Sequence, residues 1–192
     1  MTSRVAVIIP TLDEADSIAA VVSSARAARA AQIIVVDGGS RDATREIAVS
    51  SGASVIDSER MRGRQLNAGA RASDCDVLVF LHGDTLLPDG ACAAASEALA
   101  RGALFGGFRI SFLESLWKLR LAAAAINARC ALTREPWGDQ AQFITRREFD
   151  ARGGYRDWPI MEDYEFAERM ASFGRTVILD SAVKTSGRRF LR

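Results

Sequence analysis

A chain of 192 residues fits one domain and is long enough to bury a core of its own. Its 48% apolar and 26% charged content is ordinary for a folded protein and excludes extensive disorder. Lys+Arg at 25 against Asp+Glu at 24 excludes a broad nucleic-acid surface; the local basic clusters at 60–64 and 188–192 suit a small anionic ligand instead.

Residues 5–9 are an apolar run closed by Pro10, which predicts a strand. Asp13 and Asp16 precede a helical stretch to about residue 29, where acidic groups favour the positive end of a helix. A second β-branched run, 33–36, is closed by Asp37-Gly38-Gly39-Ser40, and Asp42 can cap a helix through about residue 50. Residues 53–56 predict a third strand, about 65–72 a helix, and 77–81 a fourth strand. Such runs, without polar alternation, are what a parallel sheet covered on both faces needs, and the strand–helix repeat predicts a doubly wound α/β domain. Ligands in such sheets sit beyond the carboxyl ends of the strands. Those ends carry residues 10–14, the turn at 37–40, the loop 57–64 and residues 82–85.

The second half is less regular. Pro88-Asp89-Gly90 is a turn before an Ala-rich helix to about residue 101. Residues 103–110 contain Gly106-Gly107 and predict a strand, with or without a bulge. A long helix covers about 114–132; Lys118, Arg120, Asn127 and Arg129 exclude it as a bilayer span, although one face can lie on a lipid surface. Then come Trp137-Gly138-Asp139-Gln140, a strand at 143–145, a helix at 161–170 and a last strand at 177–179. The N-terminus has no signal-peptide pattern, and Cys75, Cys92 and Cys130 show no Cys-x-x-Cys spacing, so free thiols and a cytoplasmic location are expected, with at most peripheral contact at the inner face of a membrane.

Several chemistries fail on pattern. There is no G-x-x-x-x-G-K-[ST] loop, no G-x-G-x-x-G, no H-E-x-x-H and no G-x-S-x-G, which argues against P-loop, nicotinamide, zinc-protease and serine-hydrolase readings. The first lysine is Lys118, which argues against a nucleotidyltransferase with an N-terminal triphosphate-binding lysine. What remains is His82-Gly83-Asp84 after an apolar strand, with the chain's single histidine. Taken alone, this is either a capped loop or a pair able to offer one nitrogen and one oxygen to a metal.

Four segments in order resemble the family 2 glycosyltransferases of GT-A fold: residues 9–14 (IPTLDE), 35–44 (VVDGGSRDAT), 80–85 (FLHGDT) and 161–164 (MEDY). Residues 62–69 (RGRQLNAG) and 137–140 (WGDQ) are similar to a subgroup of small bacterial members. The resemblance implies a Rossmann-like, mostly parallel sheet with helices on both faces. It also implies a nucleotide-binding half at about 4–110 and an acceptor-side half at about 111–192. The implied activity is inverting transfer from a nucleoside-diphosphate sugar (UDP, GDP or dTDP) to an unidentified acceptor hydroxyl, assisted by Mg²⁺ or Mn²⁺.

By the same resemblance Pro10, Thr11 and Glu14 match the first nucleotide-binding loop, and Asp37 the carboxylate that accepts from the base. Arg64 and Asn67 match the loop beside base and ribose. His82 and Asp84 match the two ends of the D-x-D metal motif, with His82 replacing its first aspartate, so Asp84 is the main metal ligand. Glu162-Asp163 matches the acidic pair whose aspartate is the general base. Gly107, Trp137, Asp139, Arg188 and Arg189 are further candidates for the diphosphate or the acceptor. Each has a structural alternative: Asp37 as a turn former, Arg64 and Arg188 as solvated arginines, Trp137 as core, Gly107 as a bulge, and Glu162-Asp163 as a favourable first helical turn.

Overall fold

The computed structural model describes residues 3–188 and 190. Strands β1 (Val5–Thr11), β2 (Gln32–Asp37), β3 (Ser54–Asp57) and β4 (Val77–Phe80) alternate with helices α1 (Ile18–Ala27), α2 (Thr44–Ser50) and α3 (Arg62–Ala72). There follow β5 (Thr85–Leu86), α4 (Ala91–Ala100), β6 (Phe105–Phe112), α5 (Trp117–Thr133), a single 3₁₀ turn (Gly138–Gln140) and β7 (Gln142–Thr145). The described chain closes with α6 (Arg146–Ala151), α7 (Glu162–Phe173) and β8 (Thr176–Thr185). All eight strands join one sheet in the order β3-β2-β1-β4-β7-β6-β8-β5.

The first four strands are parallel to one another. Alternate residues of β1 enter two different cores: Val5, Val7 and Ile9 pack with α1 and α4 side chains, while Ala6 and Ile8 pack with Leu66, Ala70 and Phe166. Both faces are covered, which explains why these strands read as unbroken apolar runs. β7 enters antiparallel between β4 and β6, and β5 pairs antiparallel with β8, so the sheet is mixed at this end. This inserted strand carries the 3₁₀ turn and α6 at its two ends, and so brings the second half of the chain against the carboxyl ends of β1 and β4.

Three glycines permit close approach. A Cβ on Gly69 would collide with Ile8 and Val36, so α3 lies directly on the sheet. Gly106 lies against Phe143, and Gly107 lies beneath Pro136 with a Cβ position 3.0 Å from the Gln140 carbonyl. Of the two readings, a strand with or without a bulge, the β6–β8 ladder shows the irregular one, with a register shift just past the glycine pair, between Phe108 and Arg109. Gln65, buried on α3, donates from Nε2 to the carbonyls of Thr11 (3.0 Å) and Val36 (2.8 Å), tying the ends of β1 and β2 together. The three cysteines are free and buried.

Among the described residues no helix is long and apolar enough to cross a membrane. α5 buries Leu119, Ala123 and Cys130 and turns Trp117 (70% exposed), Leu121 and Leu132 outward.

Candidate functional site

The carboxyl ends of β1 and β4 open onto a cleft of about 400 Å³ lined by Pro10, Thr11, Glu14, Arg60, Arg62, Gln65, His82 and Asp84, among others. A second cavity, about 260 Å³, is lined by Arg62, His82, Asp84, Trp137, Asp139, Asp163, Thr185, Ser186 and Phe190. Arg62, His82 and Asp84 therefore form the wall common to both. The sheet explains the junction: β4 delivers residues 82–84, while β7 and α7 bring the 3₁₀ turn and Asp163 to its far side.

Asp163 is held firmly. Its Oδ2 accepts from the Gly138 amide (2.7 Å) and its Oδ1 from the Tyr164 amide (2.9 Å). Gly138 is itself wedged: a Cβ there would lie 2.6 Å from Asp163 Oδ2 and 2.7 Å from His82 Nε2. Only a glycine lets the histidine and the aspartate approach the same point of backbone. The turn is fixed from behind by Gln140, whose Nε2 donates to the Phe108 carbonyl (2.9 Å) and whose Oε1 accepts from the Trp137 amide (3.0 Å). The Trp137 ring is covered by the Arg129 guanidinium, 3.8 Å from its centre, and meets Tyr164 edge-on at 6.1 Å.

Charge is concentrated at this junction. Burial pushes the Asp139 carboxyl up to about 6, and the neighbouring Asp163 adds to the shift. Burial also raises the Glu162 pKa. Glu162 is 3% exposed, and its Oε1 has no hydrogen bond but lies 3.6 Å from Arg62 Nε. Asp139 Oδ1 and Trp137 Nε1, an acceptor and a donor, are shielded from solvent without a hydrogen-bond partner. On the cleft side Arg188 donates to Glu14, and its NH2 lies 3.1 Å from Asp84 Oδ2. The hydrogen bond to Glu14, and then the charges of Glu14 and Asp84, raise the Arg188 pKa against the opposing effect of burial. Arg189 lies outside the described residues.

Of the residues singled out on sequence, Pro10, Thr11, Glu14, His82 and Asp84 meet at the cleft, and Trp137, Asp139 and Asp163 at the second cavity. Others lie elsewhere. Arg64 pairs with Glu59 and with Asp157 (2.9 Å) and, with Asn67, borders a separate opening. Asn67 is committed to the backbone of Tyr155, donating 2.8 Å to its carbonyl and accepting 2.9 Å from its amide. Asp37 is 1% exposed and serves its own turn: Oδ2 accepts from the amides of Gly39 (3.0 Å) and Ser40 (2.9 Å), and Oδ1 from the Ser40 hydroxyl. Burial works to raise its pKa, but these hydrogen bonds and Arg45 outweigh it and the pKa is lowered. Gly107 lines neither cavity, because Pro136 covers it. On sequence, Arg60 and Arg62 stand only as members of a basic cluster suited to a small anion, with no individual role. For Arg62 the signal is helical: Arg62 and Gln65 are three apart at the start of α3 and share the face toward the cleft.

Residues 6–154 match the family model described as glycosyl transferase family 2, well over half of the chain. Glu162 and Asp163 fall beyond the matched stretch. A 52-residue segment is 46% identical to glycosyltransferase AglJ of Haloferax volcanii, covering 27% of this chain but only 17% of that protein. The fold is similar to that of glucosyl-3-phosphoglycerate synthase from Mycobacterium tuberculosis. The structure of that enzyme with Mg²⁺ and UDP superposes with a TM-score of 0.69 at 19% identity, covering 95% of this chain and 70% of that one. Its structure with Mn²⁺, UDP and phosphoglyceric acid gives 0.68 at 20% identity, covering 95% and 69%. With the family model spanning the strand ends that build the cleft, and the GT-A fold shared across nearly the whole chain, this protein belongs to glycosyl transferase family 2.

Proposed function

We propose that the chain is an inverting transferase that binds a nucleoside-diphosphate sugar in the larger cleft and the acceptor in the smaller cavity. The observation that carries this is the shared wall. Arg62, His82 and Asp84 face both spaces, whereas Asp163 faces only the second. A sugar bridging the two would have its diphosphate on the cleft side and its anomeric carbon toward Asp163. The acceptor hydroxyl oxygen then attacks that carbon as the carbon–oxygen bond to the diphosphate breaks. Its proton passes to Asp163, and opposite-face attack inverts the configuration. Arg62, with Arg60 beside it, offers positive charge to the departing diphosphate. Asp139 Oδ1 and Trp137 Nε1, both unpaired, suit a hydroxyl-bearing acceptor, since a buried polar atom gains most from a ligand that completes its hydrogen bonds.

The resident residues fit a divalent cation only in company with the nucleotide. Among the described residues no group of three His, Cys, Asp or Glu side chains is gathered as a metal site. Asp84 supplies one carboxylate and His82 one imidazole, so Mg²⁺ or Mn²⁺ there would complete its shell with diphosphate oxygens and water, as Mg²⁺ ordinarily does. Such an ion would neutralise charge on the leaving group. The solved relatives with Mg²⁺ or Mn²⁺ and UDP make UDP the first donor base to test.

The reading is tested by thermal stabilisation with UDP, GDP and dTDP, each with and without Mn²⁺, followed by turnover of the matching nucleotide-sugar. A ligand stabilises only the state it binds, so one nucleotide should raise Tm. Asp163→Asn should abolish transfer while keeping that shift. Full transfer by Asp163→Asn would refute the assignment. A cytoplasmic enzyme of this kind would meet a membrane through α5, whose outer face carries Trp117 and Leu121 beside Lys118 and Arg120, with no acidic residue in the helix.

A further inference from the structure

The segment after β8 holds a contact at the site that crosses nearly the whole chain. Arg188 donates to Glu14, in the loop after β1, and approaches Asp84, in the loop after β4. The two carboxylates are mostly buried, Asp84 being 8% exposed, so their charges are poorly screened and need a cation. Asp84 is also the only carboxylate of the His82-Gly83-Asp84 segment.

We propose that Arg188 is an internal cation that occupies Asp84 in the resting protein and competes with a divalent metal for it. The inference rests on the donor-site reading above and extends it to the order of events. A cation bound at Asp84 repels the guanidinium. Arg188 then leaves Asp84, and the nearest anion able to accept its forked donors is the diphosphate itself. The exchange reaches the acceptor side, because Thr185, Ser186 and Phe190, immediately around Arg188, line the second cavity. Phe190 is anchored edge-on against Phe112, 5.2 Å between ring centres, and the Gly187 amide donates 2.8 Å to Glu114. These anchors keep the segment in place while the arginine side chain changes partner. Donor and metal would therefore bind first and set the wall against which the acceptor docks.

The test uses two ligands whose responses should have opposite signs. Mn²⁺ alone is titrated into the wild-type protein, Arg188→Ala, Arg188→Gln and Asp84→Asn, with the free ion read by electron paramagnetic resonance. UDP is then titrated calorimetrically at fixed saturating Mn²⁺. Removing the competing cation should tighten Mn²⁺ about three- to tenfold in both Arg188 variants, the range for a partly exposed ion pair, and Asp84→Asn should lose the site. UDP should bind about tenfold more weakly to the same two variants, as a charged hydrogen bond to phosphate is lost. A merely structural role for Arg188 would weaken both ligands together. Mn²⁺ affinity in the Arg188 variants that is equal to or below wild type overturns the proposal, whatever UDP does. Failure of the wild-type protein to bind UDP overturns instead the donor-site reading, since the Mn²⁺ titration contains no nucleotide.

Discussion

Asp139 makes the sharpest stability prediction. Burial, followed by the like charge of Asp163, moves its carboxyl from 3.8 to about 6. That is roughly two pH units at ~1.4 kcal/mol each, so ionising Asp139 costs the folded protein about 3 kcal/mol. The sign follows from proton counts. Between about pH 4 and 6 the folded chain holds a proton that the unfolded chain has released, so stability falls as pH rises through this window and stays lowered above it. Asparagine cannot ionise and nearly preserves the shape. Asp139→Asn should therefore match the wild type near pH 4 and exceed it by up to about 3 kcal/mol at pH 7–8, which is about 6–12 °C in Tm for a domain of this size. Urea unfolding at pH 4, 5, 6, 7 and 8 measures this directly. A gain independent of pH, or a wild type that becomes the more stable partner as pH rises, would refute the reasoning. A more stable variant that transfers sugar poorly would identify the strained carboxylate as part of the acceptor site.

Gly138→Ala puts a methyl group 2.6 Å from Asp163 Oδ2 and 2.7 Å from His82 Nε2. Transfer should fall at least about 100-fold through misplacement of Asp163, with UDP affinity within about threefold of wild type, as kinetics and calorimetry would show. Gln65→Ala strands the carbonyls of Thr11 and Val36 and should cost about 2–3 kcal/mol in urea unfolding. Gly69→Ala drives a methyl into Ile8 and Val36 and should cost about 1–3 kcal/mol by overpacking in the same assay. Co-sedimentation with phosphatidylglycerol vesicles should fall about tenfold in the double variant Trp117→Ser, Leu121→Ser, and sedimentation of wild type and variant alike would exclude α5 as the contact.

The fold was legible where apolar periodicity is unambiguous. β1, β2 and β4 fall within a few residues of the expected runs because each is buried on both faces, and the edge strand β3 does so through Val55 and Ile56, which are partly buried on opposite faces. The sequence predicts a strand over 177–179, whereas β8 spans Thr176–Thr185, since exposed Asp180, Ser181 and Lys184 interrupt its apolar signal. α6 was not foreseen. It is short, and its stop-and-start signal is a single hydroxyl, Thr145, accepting from the Glu148 amide at 3.2 Å. The antiparallel entry of β7 between β4 and β6 left no local trace, because strand direction is decided by connections and not by composition.

The site was legible in its residue types and less so in their phase. The sequence predicts a loop over 57–64 and a helix from about residue 65, and by the family resemblance it singles out Arg64 and not Arg62. The helix starts at Arg62, and that shift of three residues decides the chemistry. From this start, Leu66, Gly69 and Ala70 face the sheet, Arg62 and Gln65 face the cleft, and Arg64, Asn67 and Arg71 line the opposite opening. Which arginine of α3 faces the cleft follows from helical phase once the first turn is known. No such rule reaches Arg188, which is separated from Glu14 by 174 positions. Its partners are fixed by the return of β8 beside β6 and β5, and only the assembled sheet brings that guanidinium to Asp84. The same long-range dependence is why an ion pair at this position can couple the two cavities: it is made by the segment after the last strand, across the ends of the first and fourth, at the wall both spaces share.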